Sequence, residues 1–301
     1  MKIAAVFATM NRAETAMACV NALAAQSRPP DLVVVADNVS KDDTISRLEA
    51  MDGLPFALLV HRMPENGGNA GGVGEAMDLA FAKGADAVWI LDDDSFPRPG
   101  ALEALVQPPW NERIVRHALQ VDPKTGRFTW PMWVGTENGW RLVFDESELP
   151  PTDSVPSRAS WTGALLPGFI YQAVGPVNAA LFIRGEDEEY PWRIGQAGFS
   201  FEAIRCAVMD HSGPDDLLHW RFAGKNFFLE RKLSDWKLYY KVRNMVWLKR
   251  RQNGLPGAVI TALAYGGAVA VCDGPLRVPL IIEAVRDGLA GRLGRWRKHP
   301  A

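Results

Sequence analysis

The sequence predicts an α/β fold: a mostly parallel central sheet flanked by helices on both faces, with a helical appendage at the C-terminal end. Three observations carry this. Four apolar runs in the first hundred residues are too continuous for strands with one wet face. Each of the first three is followed by a stretch of helical spacing, the alternation that gives parallel strands. The polar residues of the region gather just after the apolar runs, where open sheets of this kind bind ligands.

In order, "KIAAVFAT" (2–9) is a strand and "RAETAMACVNALAAQ" (12–26) a helix. "LVVVAD" (32–37) is a second strand, and "SKDDTISRLEAM" (40–51) a helix for which Ser40 is the expected cap. "FALLVHR" (56–62) is a third strand, "GGVGEAMDLAFAKG" (71–84) a helix and "AVWIL" (87–91) a fourth strand. Residues 108–160 are rich in Pro, Gly and Trp and read as irregular loops with a small hairpin around "RFTWPMWVG". "GALLPGFIYQAVGPVNAALFI" (163–183) reads as helix and strand, and 217–252 as helix. No repeats or low-complexity tracts interrupt the chain.

The 301 residues are 48% hydrophobic, enough for one large domain or a domain with an appendage. A formal net charge of -2 gives no electrostatic case for nucleic acid. Cys19, Cys206 and Cys272 are odd in number, widely spaced and set among apolar residues, which predicts buried free thiols in a reducing compartment. The opening apolar run is too short for a signal peptide. "LPGAVITALAYGGAVAVC" (255–272) has 18 uncharged residues, the threshold length for a membrane span, but Pro256, Gly257, Gly266 and Gly267 interrupt it. A buried or membrane-surface helical pair is the expectation. Its basic flanks, Lys249 to Arg251 and Arg292 to Lys298, suit anionic headgroups and equally suit a solvated basic helix.

The strand ends hold the chemistry. Thr9, Asn11 and Arg12 follow the first strand, Asp37 and Asn38 the second, "RMPENGGNAGGVGEA" (62–76) the third, and Asp92, Asp93 and Asp94 the fourth. Glycines let backbone N–H groups approach an anion, and the helix N-terminus favours negative charge. A G-x-G-x-x-G fingerprint after the first strand is missing, which disfavours a nicotinamide enzyme. Three adjacent carboxylates repel one another and are costly to desolvate. A divalent cation, Mg²⁺ or Mn²⁺, would offset the repulsion and bridge them to a diphosphate. The plain alternative is an acidic turn before "SFPRPG". Farther on, "GEDEEY" (185–190) stacks four acids, poising one as a proton acceptor or simply forming a solvated helix start.

Together, "ATMNR", "VVVADNVSKDDT", "RMPENGGNAGG", "VWILDDDSFP" and "GPVNAALFIRGEDEEYPWRIGQAGF" resemble the successive motifs of family 2 inverting glycosyltransferases with the GT-A fold. "YYKVRN" (239–244) and "DGLAGRLGR" (287–295) resemble the tail of bacterial galactofuranosyl- and rhamnosyltransferases. The resemblance covers most of the chain, least so 108–160. It implies a catalytic domain over 1–216, with a nucleotide-sugar half (1–107) and an acceptor half (108–216), and a helical, membrane-associating region over 217–301. It implies that Thr9, Asn11, Arg12 and Asp37 line the nucleotide and that Asn66, Gly67 and Gly68 sit near the diphosphate or donor sugar. Asp92, Asp94 and His211 would hold the metal, and Asp187 would be the general base. Glu186 and Arg193 fall on the acceptor side, where Trp161 and Trp192 could stack on sugar faces. Two departures, Glu186-Asp187 in place of two aspartates and Asn69 where glycine is commoner, bear on the donor sugar.

The expected function is therefore metal-dependent, inverting transfer from a nucleoside diphosphate sugar to a cell-surface glycan or lipid-linked acceptor, in the cytoplasm or on the inner face of the plasma membrane. Asp93, beyond what metal binding requires, is expected at the donor sugar's hydroxyls, which favours UDP-galactofuranose over dTDP-rhamnose. A sugar nucleotidyltransferase and a non-catalytic nucleotide-sugar-binding module are the alternatives of another class. "TMNRAET" fits the first poorly, and intact Asp94 and Asp187 argue against the second.

Overall fold

A computed structural model describes the chain except residues 159, 160, 215, 300 and 301. The chain divides into two compact units, Met1–Val177 with Tyr190–Gly213, and Asn178–Glu189 with Pro214–Ala301.

The first unit is built on one sheet. Strands β1 (Ile3–Thr9), β2 (Leu32–Asp37), β3 (Ala57–Arg62) and β4 (Ala87–Ile90) form its parallel part, in the order β3-β2-β1-β4. All seven residues of β1 are buried, which requires cover on both faces. On one face, Ile3, Ala5 and Phe7 pack with Ala16, Cys19, Val20 and Leu23 of α1 (Ala13–Ala24). Ala8 on the other face meets α3 (Gly68–Ala82), where a Cβ on Gly72 would lie 2.7 Å from that of Ala8 and 2.8 Å from Asn38 Nδ2. Gly72 thus serves close helix–strand packing. Between β2 and β3, α2 (Thr44–Glu49) starts at Asp43 without a side-chain cap. Ser40 is not the cap: its Oγ accepts from Asn11 N.

Beyond β4 the sheet becomes mixed. After β5 (Ser95–Pro97) and α4 (Ala101–Leu105) come β6 (Ile114–Val121), the hairpin of β7 (Met132–Thr136) and β8 (Gly139–Val143), β9 (Ser154–Arg158) and β10 (Ala164–Pro167). Among the described residues the order continues β4-β10-β6-β11-β9-β7-β8, with β11 spanning Ser200–His211 and β5 pairing β11. Residues 108–160 thus hold the expected hairpin and, beyond the expected loops, two further strands of the main sheet, β6 and β9. β6 is central, and it hides in the sequence because Arg116 and His117 interrupt its apolar run. Both are buried with partners: Arg116 donates to the Leu105 carbonyl at 3.1 Å, and His117 Nε2 lies 2.7 Å from Ser157 Oγ. Burial pushes the His117 pKa down to about 4, so its ring is neutral. Helix α5 (Gly168–Val174) and residues 190–196 of α6 (Glu186–Gln196) complete this unit.

The second unit holds residues 178–189, a hairpin of β12 (Leu217–Phe222) and β13 (Lys225–Glu230), α7 (Asp235–Cys272) and α8 (Val278–Ala290). The hairpin corrects the helix expected from 217: alternating residues there pair across strands, Trp220 opposite Phe227 and His219 opposite Phe228. Helix α7 breaks at Gly254 (φ 67°), two residues before Pro256. It is the one helix among the described residues long and apolar enough to cross a membrane by length and composition, and a third of its most apolar window is buried. Of the thiols expected to be buried, only Cys19 is; Cys206 is exposed and Cys272 lies between.

Candidate active site

The carboxyl ends of β1, β2 and β4 meet at one edge of the first unit. Asp92 and Asp94, just beyond β4, and His211, the last residue of β11, place one ligand atom each within 4.8 Å of one another. His211 Nδ1 lies 3.0 Å from Gln120 Oε1, while Gln120 Nε2 donates to the Thr162 carbonyl at 2.8 Å. The acceptor oxygen holds a proton on Nδ1, so Nε2, 3.5 Å from Asp94 Oδ1, donates to that carboxylate while the ring is protonated and is the nitrogen freed to act as a ligand when it is not. Thr162 Oγ1 donates to Asp92 at 2.7 Å. Neither Gln120 nor Thr162 carries a sequence signal; only the fold brings them here.

The electrostatics fit a cation. Burial raises the Asp92 pKa, with His211 and the Thr162 hydroxyl opposing it. Burial would also raise Asp94, but hydrogen bonds from His211 and Arg12 outweigh it and hold this carboxyl well below the usual range. Two oxygen donors and one imidazole, already oriented, form a group that can hold a divalent ion.

Asp93 behaves differently from its neighbours. It is 5% exposed, and both its oxygens are taken, Oδ2 by Thr9 Oγ1 at 2.8 Å and Oδ1 by Arg12 Nη1 at 2.6 Å. Burial raises its pKa to about 6 against the pull of Arg12 and Thr9. Asp93 thus anchors Arg12, whose Nη2 reaches Asp94 at 3.0 Å. Thr9, 3% exposed, supports this anchor through its hydroxyl.

The remaining donor-side residues shape the edge. Asp37 is fully buried; its Oδ2 accepts from Ser40 N at 2.9 Å, and Oδ1 has no hydrogen-bond partner among the described residues. Asn11 Oδ1 accepts from Lys41 N at 2.7 Å, tying the loop after β2 to β1. Gly67 N donates to Asn38 Oδ1 at 3.1 Å and Gly68 N to Asn66 Oδ1 at 2.9 Å. These two amides build the turn into α3. Asn38, read only as a strand end, is the residue that organises this turn, since its Nδ2 also donates to the Gly68 carbonyl at 3.1 Å.

The residues expected on the acceptor side fall in both units. In the first, Trp161 is 5% exposed and packs edge-on against Tyr190, with ring centroids 5.8 Å apart. Arg193 donates to the carbonyls of Val174 at 3.0 Å and Pro176 at 2.8 Å and lies over the Tyr190 ring, which clamps the chain after α5. Trp192 is half-buried.

In the second unit, Glu186 is buried, at 3% exposure, whereas Asp187 reaches solvent. Protein nonetheless rings Asp187 closely enough for desolvation, and then the charge of Glu188, to raise its pKa; Lys241 pulls the other way. Glu188 is paired with Lys249 at 3.0 Å and stays low. A bidentate pair, Arg184 Nη1 and Nη2 on Glu230 at 2.6 and 2.8 Å, flanks the loop. An accessible carboxylate with a raised pKa can accept a proton from a hydroxyl.

The profile described as "Glycosyl transferase family 2" matches residues 5–133. Galactofuranosyltransferase GlfT1 of Mycolicibacterium smegmatis is 31% identical over 219 residues, covering 69% of this chain and 70% of that protein. This chain is a family 2 glycosyltransferase. A second similar protein, galactofuranosyltransferase GlfT1 of Mycobacterium tuberculosis, is 29% identical over 250 residues, 75% of this chain and 79% of the relative. Solved structures share the family 2 enzyme's fold at lower identity. Staphylococcus aureus TarS 1-349 with UDP-GlcNAc aligns at a TM-score of 0.60 and 15% identity, covering 96% of this chain and 81% of that one. The mannosyltransferase PcManGT of Pyrobaculum calidifontis with GDP-Man and Mn2+ gives 0.53 at 17% identity, covering 96% and 75%. GalNAc-T7 with UDP, GalNAc and Mn2+ gives 0.56 at 17%, covering 96% of this chain but only 56% of that longer one.

Proposed function

We propose that this glycosyltransferase moves galactofuranose from UDP-galactofuranose to a hydroxyl of a glycan or lipid-linked acceptor, inverting the anomeric centre. The observation that carries the reading is the Asp92–Asp94–His211 cluster at the carboxyl edge of a family 2 sheet. Similarity to two galactofuranosyltransferases supports the donor sugar. Solved relatives of this fold with bound UDP, a UDP-sugar or GDP-Man support a nucleotide-sugar donor. Mn²⁺ or Mg²⁺ held by Asp92, Asp94 and His211 would supply the positive charge that a departing diphosphate needs. Asp37, with a buried oxygen left over, accepts a hydrogen bond from the base or ribose. Asp187 takes the proton of the acceptor hydroxyl as it attacks, its raised pKa matching it to that task. One catalytic carboxylate suffices, because a diphosphate leaves without the proton that a glycosidase must supply.

Membrane contact belongs to the same proposal. Leu255, Val259 and Leu263 follow one another at helical spacing on α7 and are 59%, 44% and 61% exposed. Val271, Leu276 and Ile282 add exposed apolar surface, and Arg250, Arg251 and Arg292 are exposed basic flanks. This combination suits peripheral binding to an anionic bilayer, on the cytoplasmic face where nucleotide sugars are made available. A turnover screen over UDP- and dTDP-sugars with Mn²⁺ tests the donor: release of UDP from UDP-galactofuranose is expected. Turnover of dTDP-rhamnose alone would replace the sugar and leave the class intact. Carbonate washing of membranes should release the protein; retention would indicate a span.

A further inference from the structure

Of the motif "YYKVRN" only Lys241 enters the site above, yet two more of its residues are wired into the loop that carries Asp187. That loop is strained. Phe182 has φ 68° and ψ -65°, and Ile183 N donates to the Leu181 carbonyl at 2.9 Å, a γ-turn of the rare positive-φ kind. Arg184 (φ 62°) and Gly185 (φ 138°) follow, also on the left-handed side. Backbone of this sort persists only where its surroundings over-determine it.

The surroundings are two buried side chains of α7. Asn244, fully buried, directs Nδ2 at three carbonyls of the loop, Leu181 at 2.9 Å, Ile183 at 3.0 Å and Arg184 at 2.7 Å. Arg243, 1% exposed, donates from Nη2 to Leu181 O at 3.0 Å and from Nη1 to Gly294 O at 2.6 Å. Its Nε donates to Asn244 Oδ1 at 2.8 Å, which fixes which end of the amide faces the loop. A Cβ on Gly185 would lie 2.8 Å from that of Asn244, so the loop backbone lies directly against this residue. The link to the acid is a single peptide plane. The carbonyl of Arg184 accepts from Asn244, and the N–H across the same peptide bond, on Gly185, donates to Asp187 Oδ1 at 2.9 Å. Because that unit is planar, fixing the carbonyl fixes the direction of the N–H.

We propose that Asn244 and Arg243 are positioning residues for Asp187, acting through the Arg184–Gly185 peptide. The proposal rests on Asp187 being the general base. Its test is a double-mutant cycle of Asn244→Ala with Asp187→Asn. Transfer from UDP-galactofuranose to a panel of octyl glycosides is measured together with UDP affinity by calorimetry. Asn244→Ala should lower kcat about 10- to 100-fold while UDP affinity stays within about twofold. In the Asp187→Asn background it should remove less than about threefold more, since both changes then disable one device. An unchanged kcat, a loss repeated in full without Asp187, or a matching loss of UDP affinity would overturn the positioning role alone. Normal turnover by Asp187→Asn would overturn the base assignment itself, and the positioning role with it. Should Asn244→Ala fail to fold by thermal melting, Arg243→Lys enters the same cycle with the same outcomes, since it removes the fork and keeps the charge.

Discussion

At the donor edge, Asp92, Asp93 and Asp94 stand on backbone of ordinary negative φ and are held by side chains: Asp92 by Thr162, Asp93 by Thr9 and Arg12, and Asp94 by the same Arg12 and His211. At Asp187 the order is inverted. The carboxylate takes one backbone N–H, and the backbone itself runs through positive φ at 182, 184 and 185, with its carbonyls bonded by Arg243 and Asn244. One region fixes its acids by side chains on a relaxed frame; the other fixes the frame and lets the acid follow. The first should respond to changes of charge at its own position, the second also to packing some sixty residues away.

Asp187→Asn should give the largest effect, a loss of about 10² to 10⁴ in kcat with UDP affinity within a few-fold, because a base acts on the transition state and not on the nucleotide. Near-normal turnover would place the acceptor chemistry elsewhere. Asp94→Ala should show the opposite signature. UDP affinity with Mn²⁺, expected to exceed that with EDTA by about tenfold in the wild type, should become the same in both, one ligand and its charge having been lost. Equal affinity with and without metal in the wild type would break the contrast on the donor side.

The smallest effect concerns the frame beneath the donor edge. His117, buried in β6, has its folded pKa lowered to about 4 from an ordinary 6.5. Between these values the unfolded chain binds the extra proton and the folded one does not, so stability rises with pH through the window and is lost as pH falls. The full difference corresponds to about 3 kcal/mol. Thermal melts of His117→Gln from pH 7 to pH 4 should therefore fall less than those of the wild type. Parallel curves would mean that His117 is protonated without cost.

The donor edge was legible in the sequence because β1, β2 and β4 are unbroken apolar runs whose ends mark themselves, and the cost of three adjacent carboxylates demands a partner. Finer assignments were not. Nothing in "DDD" says that the middle acid turns to Thr9 and Arg12 while its neighbours face His211 and Thr162. β6 was invisible because Arg116 and His117 are satisfied only by tertiary partners. The β12–β13 hairpin was misread because its charged residues imitate the spacing of an exposed helix face. The packing of Trp161 on Tyr190 and the bonds of Arg193 to the chain after α5 were not legible either, since residue type alone does not name tertiary partners. "YYKVRN" stood out as a motif, but its role lies in the carbonyls it meets, and those are set by the fold.

The clamp on the Asp187 loop also orders events on the ribosome. Gly294 N donates to the Ala180 carbonyl at 2.6 Å, and the Gly294 carbonyl receives Arg243. A nascent chain that has released β11 already owns every residue of the donor edge and can fold that unit, as N-terminal domains generally do during synthesis. The turn at Phe182 cannot settle until residues 243, 244 and 294 have emerged, about eighty to ninety residues after β11. With Asp187 as the proposed base, synthesis would pass through a stage in which the proposed nucleotide-sugar edge is folded before that carboxylate is positioned.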